Sequence, residues 1–457
     1  MISVAVALRV AFDASYLNYD ARYALLWARD ATRGITPDYE APFAPTPHPL
    51  STLWSVLGVV FGDWVIVWGT LLAFGLVVYL ASRLGAELFS PAVGIVTALV
   101  VLTRPAFLRD ALLGYQDVPF ACLIVGAALL EAQRPRRGVP VLALLAVAGL
   151  LRPEAWVLGG LYWLYLFRHR GWPDRIKLAG LVVAAPVVWA LMDLIVTGDA
   201  LHSLHGTSDL AAAVGRRRDV SDAPYWTVQY FAYTLRQPLG VGMPIGLAFA
   251  IIHRDRFGRA AALLLSVAGS MVVVFAVNPV FGLPLIGRYV RTPSILIAIF
   301  FGVALAGWAL LDDGREKRIW QGLAVLVAVV FCIFIPQNVN QISNRREVFH
   351  RNAKLYADLE QTGRARIVRR FEKRCGPIYA ADHRPEAHLR WWLDGDPGSV
   401  ATVEGHADKD VALLLVPKPN VRNRLFFKEN FPKAGPPDGA RSVYDNRSWR
   451  LFATGCS

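Results

Sequence analysis

Charge is scarce in this 457-residue chain. Asp, Glu, Lys and Arg make up only 18% of it, against about 25% in an ordinary soluble domain. Apolar residues take their place at 55%, with fourteen Trp, and the mean hydropathy is +0.39. That balance belongs to a polytopic membrane protein. Cysteine is scarce as well: there are four, and neither a C-x-x-C nor an H-E-x-x-H spacing occurs, so metal centres of those kinds are excluded. Internal repeats and low-complexity tracts are missing too, and with them the repeated halves common in secondary transporters.

What charge there is has one dominant sign. The net charge of +13 arises from 48 Lys and Arg against 35 Asp and Glu, and such an excess often signals nucleic acid. Here the cations cluster in short gaps between apolar runs, as orientation in a bilayer requires, so no nucleic-acid partner is expected. The apolar runs fall near 64–82, 91–103, 118–132, 139–151, 155–167, 178–197, 239–252, 260–277, 293–311 and 320–335. With Met1–Phe12 they predict about eleven transmembrane helices, several extended into their flanks. Met1–Phe12 is about half of a span and lacks signal-peptide features, which predicts a truncated first helix.

The gaps at 81–89, 133–138, 168–177, 253–259 and 312–318 hold about fourteen Lys and Arg in some forty residues, whereas the intervening gaps hold about twelve in well over a hundred. The first set is predicted to be cytoplasmic. The opening loop 13–50, the loops at 104–117 and 198–238, the segment 278–292 and the C-terminus are then extracytoplasmic. From Pro336 the composition becomes that of a soluble domain, with a helix near 346–374 and short alternating runs, the last a hairpin around Asp445-Asn446-Arg447-Ser448. Residues 1–336 are thus expected to form a membrane domain and 337–457 a small extracytoplasmic α/β domain. Cys122 and Cys332 fall inside apolar runs as packed thiols. Cys375 and Cys456 bracket the polar region and are disulfide candidates if it faces an oxidising compartment.

The most distinctive stretch is Tyr19 to Leu50, polar, aromatic and punctuated by five prolines. As a helix, Asp20–Thr32 places Asp20, Tyr23, Ala24, Trp27 and Ala31 on one face and Arg22, Arg29 and Arg33 opposite. The expectation is an interfacial helix whose arginines meet headgroups or water while Asp20 faces the protein. Asp20 also stands where an N-cap would stand. The prolines that follow Gly34 force an extended return to His48.

Further along, Asp117 opens a predicted span two residues before Pro119, where it reads equally as a cap or as one of two converging carboxylates. Such a pair, Asp20 and Asp117, would supply a general base or hold a divalent cation, although nothing in the sequence requires a metal. Cations gather on the same predicted side at Arg104, Arg109, Arg152, Arg288 and Arg291. Arg152 and Glu154 read as an ion pair between spans, while Arg288 and Tyr289 suit a phosphate, because guanidinium forks match its oxygens. Three weaker signals read as structural. They are the glycines of 240–246, the run Arg216-Arg217-Arg218 as a solvated or headgroup-binding patch, and the Asn446-Arg447-Ser448 sequon.

Taken together, Asp20, Tyr23 and Trp27, then His48-Pro49-Leu50, then Asp117 with Pro119, then Arg288-Tyr289 with Pro293, resemble the GT-C superfamily of integral-membrane glycosyltransferases. The nearest pattern is that of the dolichyl-phosphate-mannose mannosyltransferase, aminoarabinose transferase and RgtA/B/C/D-like group, over roughly the first 300 residues. His48 replaces the group's usual Lys, and Ala21 stands where a second acidic residue is frequent. The resemblance implies a polyprenyl-phosphate sugar donor, inversion at the anomeric carbon and a soluble domain outside the membrane. Asp20 and Asp117 would then be catalytic, with His48, Arg104, Arg109, Arg152, Glu154, Arg288, Tyr289, Tyr23 and Trp27 binding substrate. The acceptor would be a hydroxyl of a glycan, lipid or protein, and membrane lipids would be the other partners. The Ala, Arg, Val and Leu bias suggests a GC-rich bacterium and its plasma membrane. A transporter or lipid flippase, and a non-catalytic envelope assembly protein, are the alternatives.

Overall fold

The computed structural model describes residues 1–405, 411–419 and 439–456. The chain divides into two compact units. The first comprises Met1–Ala11, His48–Ser51 and Ile66–Arg345; the second comprises Phe12–Pro47, Thr52–Val65 and Arg346–Ser457.

The first unit is helical, and its apolar runs all become helices. Five among the described residues are long and apolar enough to cross a bilayer: Trp64–Leu88, Trp172–Thr197, Arg254–Phe281, Gly287–Leu310 and Arg315–Arg364. Counting each of two bent pairs as one span brings the number to seven by length and composition, beside about eleven apolar runs in the sequence. The runs at 118–132, 139–151 and 155–167 form helices of 17, 11 and 14 residues, the first at the lower end of the roughly 17–25 that a span takes and the other two below it. They pack on one another through Phe120, Ile124, Leu142, Leu145, Ala155 and Leu158. Large apolar side chains such as Ile195, 80% exposed, cover the outside of this unit. Surface of that kind belongs against lipid. The chain is a multi-pass membrane protein.

At the centre of this unit lies the helix Arg291–Ala306, with nearly every residue buried, as expected of a helix apolar all round. Gln237–Ile252 lies directly against it. A Cβ on Gly246 would run into the carbonyl oxygen of Phe300 and one on Gly242 into the ring of Phe301, so these two glycines of GVGMPIG serve helix packing.

Two backbone breaks shape the same unit. Pro91–Leu102 and Pro105–Leu112 meet at 64°, because Pro105 pushes Arg104 out of the helical region to φ −83°, ψ 118°. Val220–Leu235 and Gln237–Ile252 meet at 105°. The corner is Arg236, at φ 69°, ψ 167°, a region that is essentially the preserve of glycine.

The second unit is built on a five-stranded sheet, β1 (Ile378–Ala380), β2 (Val400–Thr402), β3 (Leu413–Pro417), β4 (Arg441–Asp445) and β5 (Trp449–Ala453), in the order β2-β1-β3-β5-β4. The first three strands are parallel; β5 runs antiparallel to β3, and β4 antiparallel to β5. All five fall in the runs read as strands, and the hairpin turns at 446–448. There Asn446 is a structural residue: its side-chain amide donates to Asp358 O and its Oδ1 accepts from Ser448 N and Trp449 N. Leu359, Ile378, Leu389, Leu413, Trp449 and Leu451 fill the core, and Cys375 is disulfide-bonded to Cys456.

The helix Tyr19–Thr32 belongs to this unit and packs on the helix Glu386–Leu393. Its cap is Asn18, whose side chain accepts from Ala21 N, and Asp20 sits half-buried in the first turn. The cap reading of Asp20 is therefore corrected. So is the lipid-facing arginine stripe, since Arg22 and Arg29 are buried. Arg22 pairs with Asp63 at 2.8 Å and lies over the rings of Trp391 and Trp392. Arg29 donates to Gly395 O at 2.6 Å. Arg33 alone of the three is exposed, and it pairs with Asp394 at 2.7 Å. An amphipathic pattern cannot tell a headgroup from a buried carboxylate as the partner of an arginine.

Candidate active site

Within the membrane unit the structure brings together four of the residues singled out from sequence. Asp117 and Glu154 each stand in the first turn of a helix, where the dipole favours a carboxylate. Arg152, in the short link before Glu154, reaches both. Its Nη2 donates to Glu154 Oε1 at 2.7 Å, its Nε lies 3.2 and 3.3 Å from the two Glu154 oxygens, and its Nη1 donates to Asp117 Oδ1. The guanidinium lies 4.3 Å from the ring centre of Tyr289. Asp117, Arg152 and Glu154 are all buried, so Asp117 is neither a bare cap nor a solvated charge.

Asp117 Oδ2 alone among these carboxylate oxygens has no hydrogen-bond partner. The cluster therefore carries two carboxylates against one guanidinium, and one acceptor atom is open to a proton or a substrate hydroxyl. A divalent cation fits poorly here, because a guanidinium already occupies the other oxygen of Asp117. Among the described residues, the group with ligand atoms close enough to share an ion is Asp382, His383 and Glu404, within 4.8 Å of one another, in the second unit.

The other cations have separate roles. Arg291 is buried, pairs with Asp110 at 3.0 Å and donates to Thr234, so it is an internal strut and not a phosphate ligand. Arg109 donates to the Tyr115 hydroxyl at 3.1 Å, and half-buried Arg288 lies 5.8 Å from the same ring. His48 sits edge-on to Trp189, with ring centres 5.3 Å apart. His205 is exposed and pairs with Asp199 at 2.6 Å. Arg104 is buried and donates to Leu235 O and to the Thr103 hydroxyl.

In the second unit the Tyr23 hydroxyl donates to Glu386 Oε1 at 3.0 Å, and Trp27 Nε1 donates to Asp38 O at 3.1 Å. Tyr23 and Trp27 thus hold this unit together. Burial pushes the Glu386 carboxyl up to about 8, with Asp38 adding to the rise, and drives the buried His388 imidazole down to about 3, with Arg22 nearby contributing.

No protein-family model matches the chain, and no curated relative does. Solved structures match it over nearly its whole length. ArnT from Cupriavidus metallidurans bound to undecaprenyl phosphate superposes with a TM-score of 0.58 at 16% identity, covering 99% of this chain and 97% of that one. The apo state of ArnT gives 0.54 at the same identity. The Archaeoglobus fulgidus oligosaccharyltransferase, in complex with Zn and sulfate, gives 0.50 at 12% identity, covering 88% of this chain and 64% of that one. The chain has the GT-C fold.

On this GT-C fold the sequence reading missed Glu386, Arg236 and Asp63. Nothing in the periodicity marks Glu386 as buried. Arg236 precedes Gln-Pro, and that proline, at the second position of the next helix, was the one available signal for a break. Asp63 follows Pro49–Phe61, an apolar helix that sequence reading left within a gap.

Proposed function

We infer that this protein is a membrane glycosyltransferase that moves a sugar from a polyprenyl-phosphate donor to an acceptor hydroxyl at the extracytoplasmic face of a bacterial plasma membrane, with inversion. The observation that carries this reading is the GT-C fold across the full chain, which includes a structure of ArnT bound to undecaprenyl phosphate. The buried Asp117–Arg152–Glu154 cluster adds to it.

In this mechanism Asp20 accepts the proton of the acceptor hydroxyl. The freed oxygen attacks the anomeric carbon from the side opposite the leaving group, and the bond from that carbon to the phosphate oxygen breaks with its electron pair on the phosphate. Asp117, held by Arg152, orients the acceptor through its open oxygen. His48, Arg109, Arg288 and Tyr289 meet the phosphate. A lipid phosphate leaves slowly unless fixed cations meet its growing charge in a site shielded from water.

The test is sugar transfer by the purified full chain in lipid nanodiscs, using a radiolabelled polyprenyl-phosphate sugar and a short-chain alcohol acceptor. Asp20→Asn and Asp117→Asn are each expected to lose on the order of a hundredfold or more in rate. A folded Asp20→Asn protein with the wild-type rate would remove Asp20 from this role.

A further inference from the structure

The two broken helix pairs of the membrane unit share a cavity of about 260 Å³. Each pair contributes the residue at its corner, Arg104 from one and Arg236 from the other. Both residues stand immediately before a helix N-terminus, that of Pro105–Leu112 and that of Gln237–Ile252. Such ends carry partial positive charge and free backbone N–H groups.

Neither guanidinium has a carboxylate partner among the described residues. Arg104 is only 1% exposed. Two of its nitrogens reach Leu235 O at 3.1 Å and the Thr103 hydroxyl at 3.2 Å, and Nε has no partner. Arg236 lies 4.9 Å from the Tyr233 ring centre, with its own Nε unsatisfied. Two like charges and two positive helix ends around one cavity in an apolar unit are costly without a counter-charge. The Arg236 backbone adds a second cost, which a glycine would not incur. Strain of this kind persists where the side chain itself is needed.

The lining also includes the apolar Phe331, Phe334, Ile335 and Val339, while Asn338 and Gln341 add amide groups. The volume is slightly below the roughly 300 Å³ at which drug-sized pockets begin. It suits a headgroup and the start of its chain.

We propose that this cavity binds the phosphate of an anionic amphiphile, with Arg104 and Arg236 as its ligands, as a site separate from the Asp117–Arg152–Glu154 cluster and independent of glycosyl transfer. The shared chemistry is a phosphate ester anion. The apolar lining residues assign it to a lipid.

The test uses the purified full chain in neutral detergent and follows retained ligand by native mass spectrometry, with phosphatidylglycerol, inorganic phosphate and uncharged diacylglycerol offered in turn. Arg236→Gly removes the cation while relieving the backbone, so the variant is expected to unfold thermally at or above the wild-type temperature. It should bind phosphatidylglycerol roughly tenfold or more weakly, the effect of losing one charge-assisted hydrogen bond. Arg104→Gln should weaken binding similarly, and diacylglycerol should not bind. Binding of phosphatidylglycerol in preference to inorganic phosphate supports the lipid assignment. Equal binding of the two at equal concentration overturns it in favour of free phosphate. Retention of phosphatidylglycerol undiminished in Arg236→Gly, or matched by diacylglycerol, overturns the site.

Discussion

Replacing Glu386 by Gln should change the shape of the stability profile against pH, and the change can be worked out from two buried groups. Glu386 has its carboxyl pushed from an ordinary 4.5 to about 8. Above pH 4.5 the unfolded chain releases this proton while the folded chain keeps it, so stability falls with rising pH until the folded group ionises near 8. His388 has its imidazole lowered from 6.5 to about 3. Below 6.5 the unfolded chain takes up a proton that the folded chain refuses, so this group makes stability rise with pH up to 6.5 and has no effect beyond it.

Between pH 5 and 6.5 the two contributions are each about 2 kcal/mol and opposed, so they nearly cancel. From 6.5 to 9 Glu386 acts alone and removes about 2 kcal/mol. The wild type is thus expected to be level up to pH 6.5 and then to weaken. Glu386→Gln should instead gain about 2 kcal/mol between pH 5 and 6.5 and then stay level. Relative to pH 5 the two proteins then differ at pH 9 by about 4 kcal/mol, which for a unit of this size corresponds to a shift on the order of 8–16 °C. Thermal unfolding in detergent, followed by tryptophan fluorescence from pH 5 to 9, reads it directly. Superimposable profiles for the two proteins would refute the burial argument.

Two further outcomes follow from the geometry. Arg152→Ala leaves Asp117 and Glu154 buried without their cation and should destabilise the membrane unit by about 3–5 kcal/mol; a thermal shift assay in detergent checks it, and an unchanged midpoint would mean that the cluster is hydrated. Cys375→Ser opens a crosslink between residues 81 apart. By chain entropy it should cost up to about 4.5 kcal/mol, visible as earlier proteolysis of the C-terminal unit and reproduced in the wild type by reductant.

Much of the fold could be read from the chain because burial in lipid and in a sheet leaves regular patterns. The apolar runs became helices, and PIYAAD, SVATVE and VALLLV became β1, β2 and β3. What periodicity could not supply was length in three dimensions. Val139–Gly149 is apolar throughout yet only 11 residues long, and Arg104 and Arg236 break helices that hydropathy alone would join or end elsewhere. For the candidate site, the Arg152–Glu154 pair was legible because two charges between spans must pair. The third member, Asp117, lies 35 residues away, and no local pattern chooses between it and a cap. Arg22 misled for the converse reason: its partner, Asp63, is 41 residues on, beyond any helical face.

The contacts of the Tyr19–Thr32 helix have a consequence in time. Some of its buried residues find their partners very late in synthesis: Tyr23 bonds to a residue 363 positions later, and Asp30 to one 360 later. At about 5–20 residues per second this leaves roughly 20–70 s during which the nascent helix holds charged groups whose counterparts have not been made. Over that interval the opening loop is a substrate for chaperones and proteases. A chain halted before Glu386 would remain one.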